Sequence, residues 1–167
     1  VNDVFYANTH CIQTSGSNLS RLFIVSNDCV SSTGTGVLFG SNLGGAGTWG
    51  AVVRDNIIYG NGAWGIDGNT GTPNPSANDH NAYGANVSGA FTVWLAGTGD
   101  VTLSADPFVA RTGGNFALNS TVGGGAALKG VGFPGTIPNA GAGVMDIGAL
   151  QSGTGAATAS ANSSYVQ

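Results

Sequence analysis

Few side chains in this sequence can do acid–base chemistry. Among 167 residues there are four Lys or Arg, eight Asp, no Glu and two His. Five of these groups fall at positions that a strand of period two turns outward: Arg54, Asp55, Asp67, Asp79 and His80. Two carboxylates facing each other across a groove are the acid and base of a glycoside hydrolase. An Arg beside a uronate, with Ca²⁺ or a second Arg neutralising charge, is the equipment of a lyase. The competing assignment is a surface charge or a turn cap. Arg54 and Asp55 are chain neighbours and so point partly apart.

Three tryptophans stand out on this polar chain, Trp49, Trp64 and Trp94. Exposed indole rings stack on sugar faces, which makes Trp64 and Trp94 candidate glycan contacts; rings that fill ends or pack under loops are the alternative. Cys11 and Cys29 are either free thiols or one bridge, and a bridge must meet a narrow distance window. His10 and Cys11 are neighbours, and strand neighbours face opposite ways, so they do not suggest a metal site. The glycine runs at 40–47 and 123–125 lack the Lys-Ser/Thr ending of a phosphate loop. No cofactor is expected, and Ca²⁺ enters only with the enzyme alternative.

The elements that must position these groups are written in the composition. Glycine supplies 30 residues, and only 7% of the chain is charged, against roughly a quarter in an ordinary domain. Long surface helices need Ala, Leu, Glu, Lys and Arg, and most of that set is scarce. Four scattered basic residues and a net charge of −4 make no nucleic-acid face. No run approaches the ~18 apolar residues of a membrane helix. A turn-rich β protein of one domain is what remains.

A repeat organises it. Aligning "IVSNDCVSSTGTGVLFG" (24–40) with "VVRDNIIYGNGAWGIDG" (52–68) gives a column of anchors, Asp3, Asp28, Asn56, Asn81 and Asp106, spaced by 25, 28, 25 and 25 residues. Apolar positions move with it: Phe5, Val30, Ile58, Tyr83 and Phe108 lie two residues after each anchor. Ile12, Val37 and Ile66 mark a second strand in each unit, reached through Gly-rich turns. Such a unit cannot bury its apolar face alone, but stacked units share a core. Asn and Asp in the column would hydrogen-bond backbone that bends away from the sheets.

The segments "RDNIIYGNGAWGI" (54–66), "DHNAY" (79–83), "LSADPFVARTGGNFAL" (103–118) and "GVMDIGALQ" (143–151) resemble the C-terminal part of right-handed parallel β-helix proteins of the pectate-lyase-like superfamily. The resemblance spans about residues 2–151. It departs at Ser120, which no proline follows. It implies an all-β solenoid of about five turns over residues 1–150, ended by a closing segment in which Asp146 is a structural cap. Residues 151–167 form a low-complexity tail or strap. The fold implies little about activity, because it carries lyases, hydrolases, epimerases, tailspikes and adhesins. With so few convergent charges, the expectation is a non-catalytic scaffold of an extracellular or virion surface protein that touches glycan. The alternatives are a fragment of a polysaccharide lyase, hydrolase or epimerase, and a purely structural stalk or passenger piece. Asp3 falls on the column almost at Val1, so upstream chain or an identical subunit is expected to cover the N-terminal turn.

Overall fold

The computed structural model describes residues 1–14, 22–40, 51–68, 77–134 and 145–152. Short runs of Val, Ile and aromatic residues form strands, and Asn, Gly and Ser break them. The strands are β1 (Val4–Tyr6), β2 (Ile12–Thr14), β3 (Leu22–Val25), β4 (Asp28–Val30), β5 (Val37–Phe39), β6 (Ala51–Arg54) and β7 (Ile57–Tyr59). They continue with β8 (Trp64–Asp67), β9 (Ala77–Asp79), β10 (Ala82–Gly84), β11 (Gly89–Thr92) and β12 (Val101–Thr102). A last pair is β13 (Phe108–Ala110) and β14 (Asn115–Leu118). Helical structure among the described residues is limited to two single 3-10 turns, Arg111–Gly113 and Gly125–Ala127.

The first twelve strands form three parallel sheets. The largest runs β1-β4-β7-β10-β12, the second β11-β8-β5-β2 and the third β3-β6-β9. Each strand thus pairs mainly with the one three places on in the chain, as in a β-helix. The second sheet aligns Ile12 with Val37 and Val37 with Ile66. The remaining pair, β13 and β14, is antiparallel. No helix among the described residues is long and apolar enough to cross a membrane.

Alternation along the large sheet divides the core in two. Inward residues Cys29, Ile58 and Tyr83 pack with Ile24, Val37, Phe39, Val53, Ile66 and Trp94. Outward residues Val30, Ile57, Tyr59 and Ala82 pack instead under Leu103, Phe108, Leu118, Leu128 and Ile147. The closing segment, residues 104–134 and 145–152, therefore covers the outer face of the large sheet. At its far end the Phe116 ring meets Tyr6 edge-on, with centroids 5.2 Å apart.

The large sheet is flanked by two corners, and each has its own polar column. At the first, Asn56 accepts the backbone N–H of Asn27 at 3.0 Å, and Asn81 accepts that of Asn56 at 3.1 Å. Asn27 accepts the N–H of Asp3, and Asp100 accepts that of Asn81 at 2.7 Å. The column is thus Asp3, Asn27, Asn56, Asn81 and Asp100. This corrects the expected anchors at Asp28 and Asp106. Register pairs Asp28 with Val4 and Ile57, which puts Asn27 one place earlier in line with Asp3 and Asn56. The real spacings are 24, 29, 25 and 19 residues, because connections of unequal length separate the units. In β4 the slip of one residue exchanges faces: Cys29 rather than Val30 points inward. In β3, Ile24 is buried while Phe23 is 58% exposed. Phe108 belongs to the outer cluster, not to the inward column.

The residue before each member of this column has a left-handed backbone: Asn2 (φ 60°), Ser26 (53°), Asp55 (56°), His80 (54°) and Gly99 (74°). That conformation costs a non-glycine residue roughly 1–2 kcal/mol. The column offsets it by holding the backbone on both sides; Asn56 Nδ2 alone reaches the carbonyls of Ile24 and Arg54, each at 2.9 Å.

Candidate functional site

The second corner repeats this scheme with Ser32, Asn61 and Asn86. Asn61 accepts the N–H of Ser32 and Asn86 that of Asn61, both at 3.0 Å. Ser31, Gly60 and Ala85, just before them, again have positive φ. Sequence reading missed this column, although its 29- and 25-residue spacings equal those of Asn27, Asn56 and Asn81.

The first corner gathers most of the candidate chemistry. Arg54 ends β6 and Asp79 ends β9, and the two are register partners. Parallel neighbours in register place their side chains side by side, so the guanidinium grips the carboxylate at both oxygens, 2.5 and 2.7 Å away. His80 Nδ1 lies 3.3 Å from the same carboxylate. Phe133, from the closing segment, roofs the group: the Arg54 guanidinium carbon lies 3.5 Å from its ring centroid. The His80 ring meets the same phenyl edge-on at 5.5 Å. Asp55 lies beside this group, and its Oδ1 accepts the backbone N–H of Phe133 at 2.7 Å.

Burial and charge set the protonation of these groups. Burial pushes the Asp79 carboxyl up, but the hydrogen bonds and charges of Arg54 and His80 outweigh it and hold the group below the usual carboxylate range. The Asp79 contact in turn raises Arg54. Burial pushes Asp55 up to about 6, the Phe133 N–H opposing it. Asp28 lies fully beneath the closing segment, and burial pushes it up to about 7. Its Oδ1 accepts the N–H of Ala149 at 2.9 Å, and its Oδ2 has no hydrogen-bond partner. Gly148 permits this docking: a Cβ there would sit 2.7 Å from Asp28 Oδ1 and 2.5 Å from Ile57 Cδ1, and its φ is +111°.

The closing segment is also tied at the second corner. Arg111 donates from Nε to Asp106 at 2.9 Å and from Nη1 to the Ser31 hydroxyl at 2.7 Å. Asp106 also accepts the N–H of Phe108, so it is a loop anchor within the closing segment. Asp146, expected to be a cap, accepts the N–H groups of Gly130 and Ser152. The tail from 153 to 167 lies outside the described residues, as does Trp49.

Of the five outward candidates, the fold brings Arg54, Asp79 and His80 together. Asp55 lies next to them but serves the closing segment. Asp67 ends β8 in the second sheet, in register with Leu38 and Thr92. Among the glycan candidates, Trp64 is half-buried and lies against the backbone of Gly89. Trp94 is 6% exposed and stacks on Phe39 inside the core, centroids 5.0 Å apart with an interplanar angle of 8°. This corrects its expected role as an exposed sugar platform; Phe39 offers a large apolar surface that outcompetes water for the indole. No three His, Cys, Asp or Glu side chains converge in metal-binding fashion among the described residues.

The chain matches no protein-family model, no curated protein and no solved structure.

Proposed function

We propose that the chain is a right-handed parallel β-helix of about five turns, of the pectate-lyase-like kind, and serves as a non-catalytic scaffold of an extracellular or virion surface protein. One observation carries the reading: of the charges that could do chemistry, all but Asp67 are gathered against the closing segment. Arg54 grips both oxygens of Asp79 beneath Phe133, Asp55 accepts the Phe133 N–H, and Asp28 accepts the Ala149 N–H. A general acid and base need separation and open access to substrate; Arg54 and His80 both touch Asp79, and the three side chains are only 16–23% exposed. The outer face of the large sheet, a natural floor for a polysaccharide groove, lies under the chain's own residues. Glycan contact, in this reading, falls to Trp64.

The N-terminal edges belong to the same proposal. Strands β1, β2 and β3 each lie at the margin of a sheet. Exposed strand edges pair readily, so upstream chain or an identical subunit is the partner that fits them. Light scattering tests the second partner: a clean monomer at high concentration removes it.

The enzyme alternative draws on the approach of His80 and Arg54 to Asp79. A polysaccharide depolymerisation screen, with and without Ca²⁺, run beside a glycan array separates the readings. Binding without turnover, lost in Trp64→Ala, is the expected result. Release of unsaturated or reducing ends that disappears in Arg54→Ala would replace the scaffold by an enzyme. Neither binding nor turnover would leave a structural stalk.

A further inference from the structure

Cys11 packs against the interior core of which Cys29 is a member, away from the closing segment. Cys29 is the middle residue of β4, has no exposure, and sits in register with Phe5 and Ile58. Cys11 precedes β2 and is partly exposed. Its Sγ lies 3.6 Å from the Phe5 carbonyl and 3.0 Å from the Ser32 hydroxyl. Phe5 is the strand neighbour of Cys29, and Ser32 follows it by three residues, so both contacts hold the Cys11 sulfur over Cys29. The nearness of Cys29, with help from Ser32, holds Cys11 below the usual thiol range despite its burial. The nearness of Cys11 and burial push Cys29 well above it.

We propose that Cys11 and Cys29 are a disulfide-forming pair, in which Cys11 is the accessible attacking sulfur and Cys29 the buried resolving one. The oxidant is a small-molecule disulfide. The Cys11 thiolate attacks one of its sulfurs, the small S–S bond breaks, and one small thiolate leaves, giving a mixed disulfide on Cys11. Cys29 then gives its proton to solvent, its sulfur attacks Cys11 Sγ, and the second small thiolate leaves. Two electrons pass from the protein pair to the small disulfide, yielding two small thiols and one internal S–S bond. The bond fastens the chain before β2 to β4 through the core.

The test is incubation of the reduced full chain with oxidised glutathione, followed by denaturing alkylation, intact mass and a tryptic map. Trypsin cuts after Arg21, between the cysteines, so the bridge appears as peptide 1–21 joined to peptide 22–54. That linked pair, with loss of two hydrogens and of both free thiols, is the expected result. Cys29→Ser should stop at glutathione on Cys11, and Cys11→Ser should leave Cys29 unmodified. Raising the pH should speed the second step in the wild type, because Cys29 must lose its proton. Glutathione retained on Cys11 of the wild type at alkaline pH, glutathione on both residues, a Cys11-linked dimer or a chain that stays reduced would each overturn the proposal. The wild-type map decides this even if a variant fails to fold.

Discussion

The carboxylate of Asp28 accepts the backbone N–H of Ala149, a residue 121 positions further along the chain. Asp55 does the same for Phe133, 78 positions away. Two acids on the large-sheet side of the molecule thus hold the closing segment, and both are buried. Their ionisation and the docking of that segment are one equilibrium.

Stability should fall as pH rises from about 4 to about 7. The folded chain holds protons on Asp28 up to about 7 and on Asp55 up to about 6, whereas the unfolded chain releases them near 3.8. The stabilisation is full below the unfolded value and lost as pH passes the folded one; for the two together it is on the order of a few kcal/mol. Asp79 has the opposite sign: its contribution is present above the unfolded value and lost as pH falls through its depressed one. Urea melts across pH should therefore show a maximum at or below about pH 4 and a continuous fall from there to about pH 7. A maximum near pH 8 would contradict this assignment of the two acids.

Asp28→Asn keeps an oxygen for the Ala149 N–H and removes the ionisation. The variant should flatten the slope between pH 5 and pH 8, taken as about the window of the shift, and exceed the wild type in stability at the alkaline end. Chemical denaturation at those two values reads it. Equal slopes would show that the acid is not the titrating group.

Arg54→Ala strips Asp79 of both its charged hydrogen bonds and Phe133 of the cation beneath its ring. A loss of about 2 kcal/mol is expected, since a half-buried carboxylate is left with His80 as its one remaining side-chain contact. Arg54→Lys should recover only part of it, because an ammonium cannot bind both oxygens or stack flat on a phenyl ring. Hydrogen exchange should quicken first at the Phe133 amide. Full recovery by Lys would reduce the contact to a point charge.

Asn56→Ala should cost about 2–4 kcal/mol, since it orphans the Asn27 N–H and the carbonyls of Ile24 and Arg54 in the interior. Asn56→Asp retains the acceptor and loses the donor, and should also destabilise. An Asp as stable as Asn in a thermal melt would mean that the donor side carries nothing.

The two tryptophans should separate cleanly. Trp94→Ala opens a hole against Phe39 and is expected to cost about 3–5 kcal/mol. Trp64→Ala should stay within about 1 kcal/mol of the wild type while losing any glycan binding. If oligosaccharide binding survives Trp64→Ala, the sugar platform lies elsewhere.

The repeat was legible because Asn56 and Asn81 keep a 25-residue spacing with Ile58 and Tyr83 in step. A stack of β units follows from that spacing, and the resemblance to β-helix proteins adds that the sheets are parallel. The column went astray at Asp28, where the next residue back is also a side-chain acceptor, and nothing local distinguishes Asn27 from Asp28. Since strand faces alternate, that single place hid the inward position of Cys29 and its nearness to Cys11. The Arg54–Asp79 pair was within reach, as its spacing matches that of the column. The roof over it was not: Phe133 arrives from a Gly-rich segment with no periodicity, and long-range docking of that kind leaves no mark in local sequence. The burial of Trp94 was hidden for the same reason.

The first corner column also has a direction. Asn27 donates its Nδ2 to Asn56, Asn56 to Asn81, and Asn81 to Asp100. An amide can both receive and pass on a hydrogen bond, whereas a carboxylate can only receive. Asn is therefore the letter that lets the column be continued, and Asp100 is its full stop. The aligned amide dipoles point their donated hydrogens toward one formal charge, so each bond polarises the next. Units carrying Asn could be inserted ahead of that charge without altering the rule of assembly, whereas growth beyond it would need a different bond.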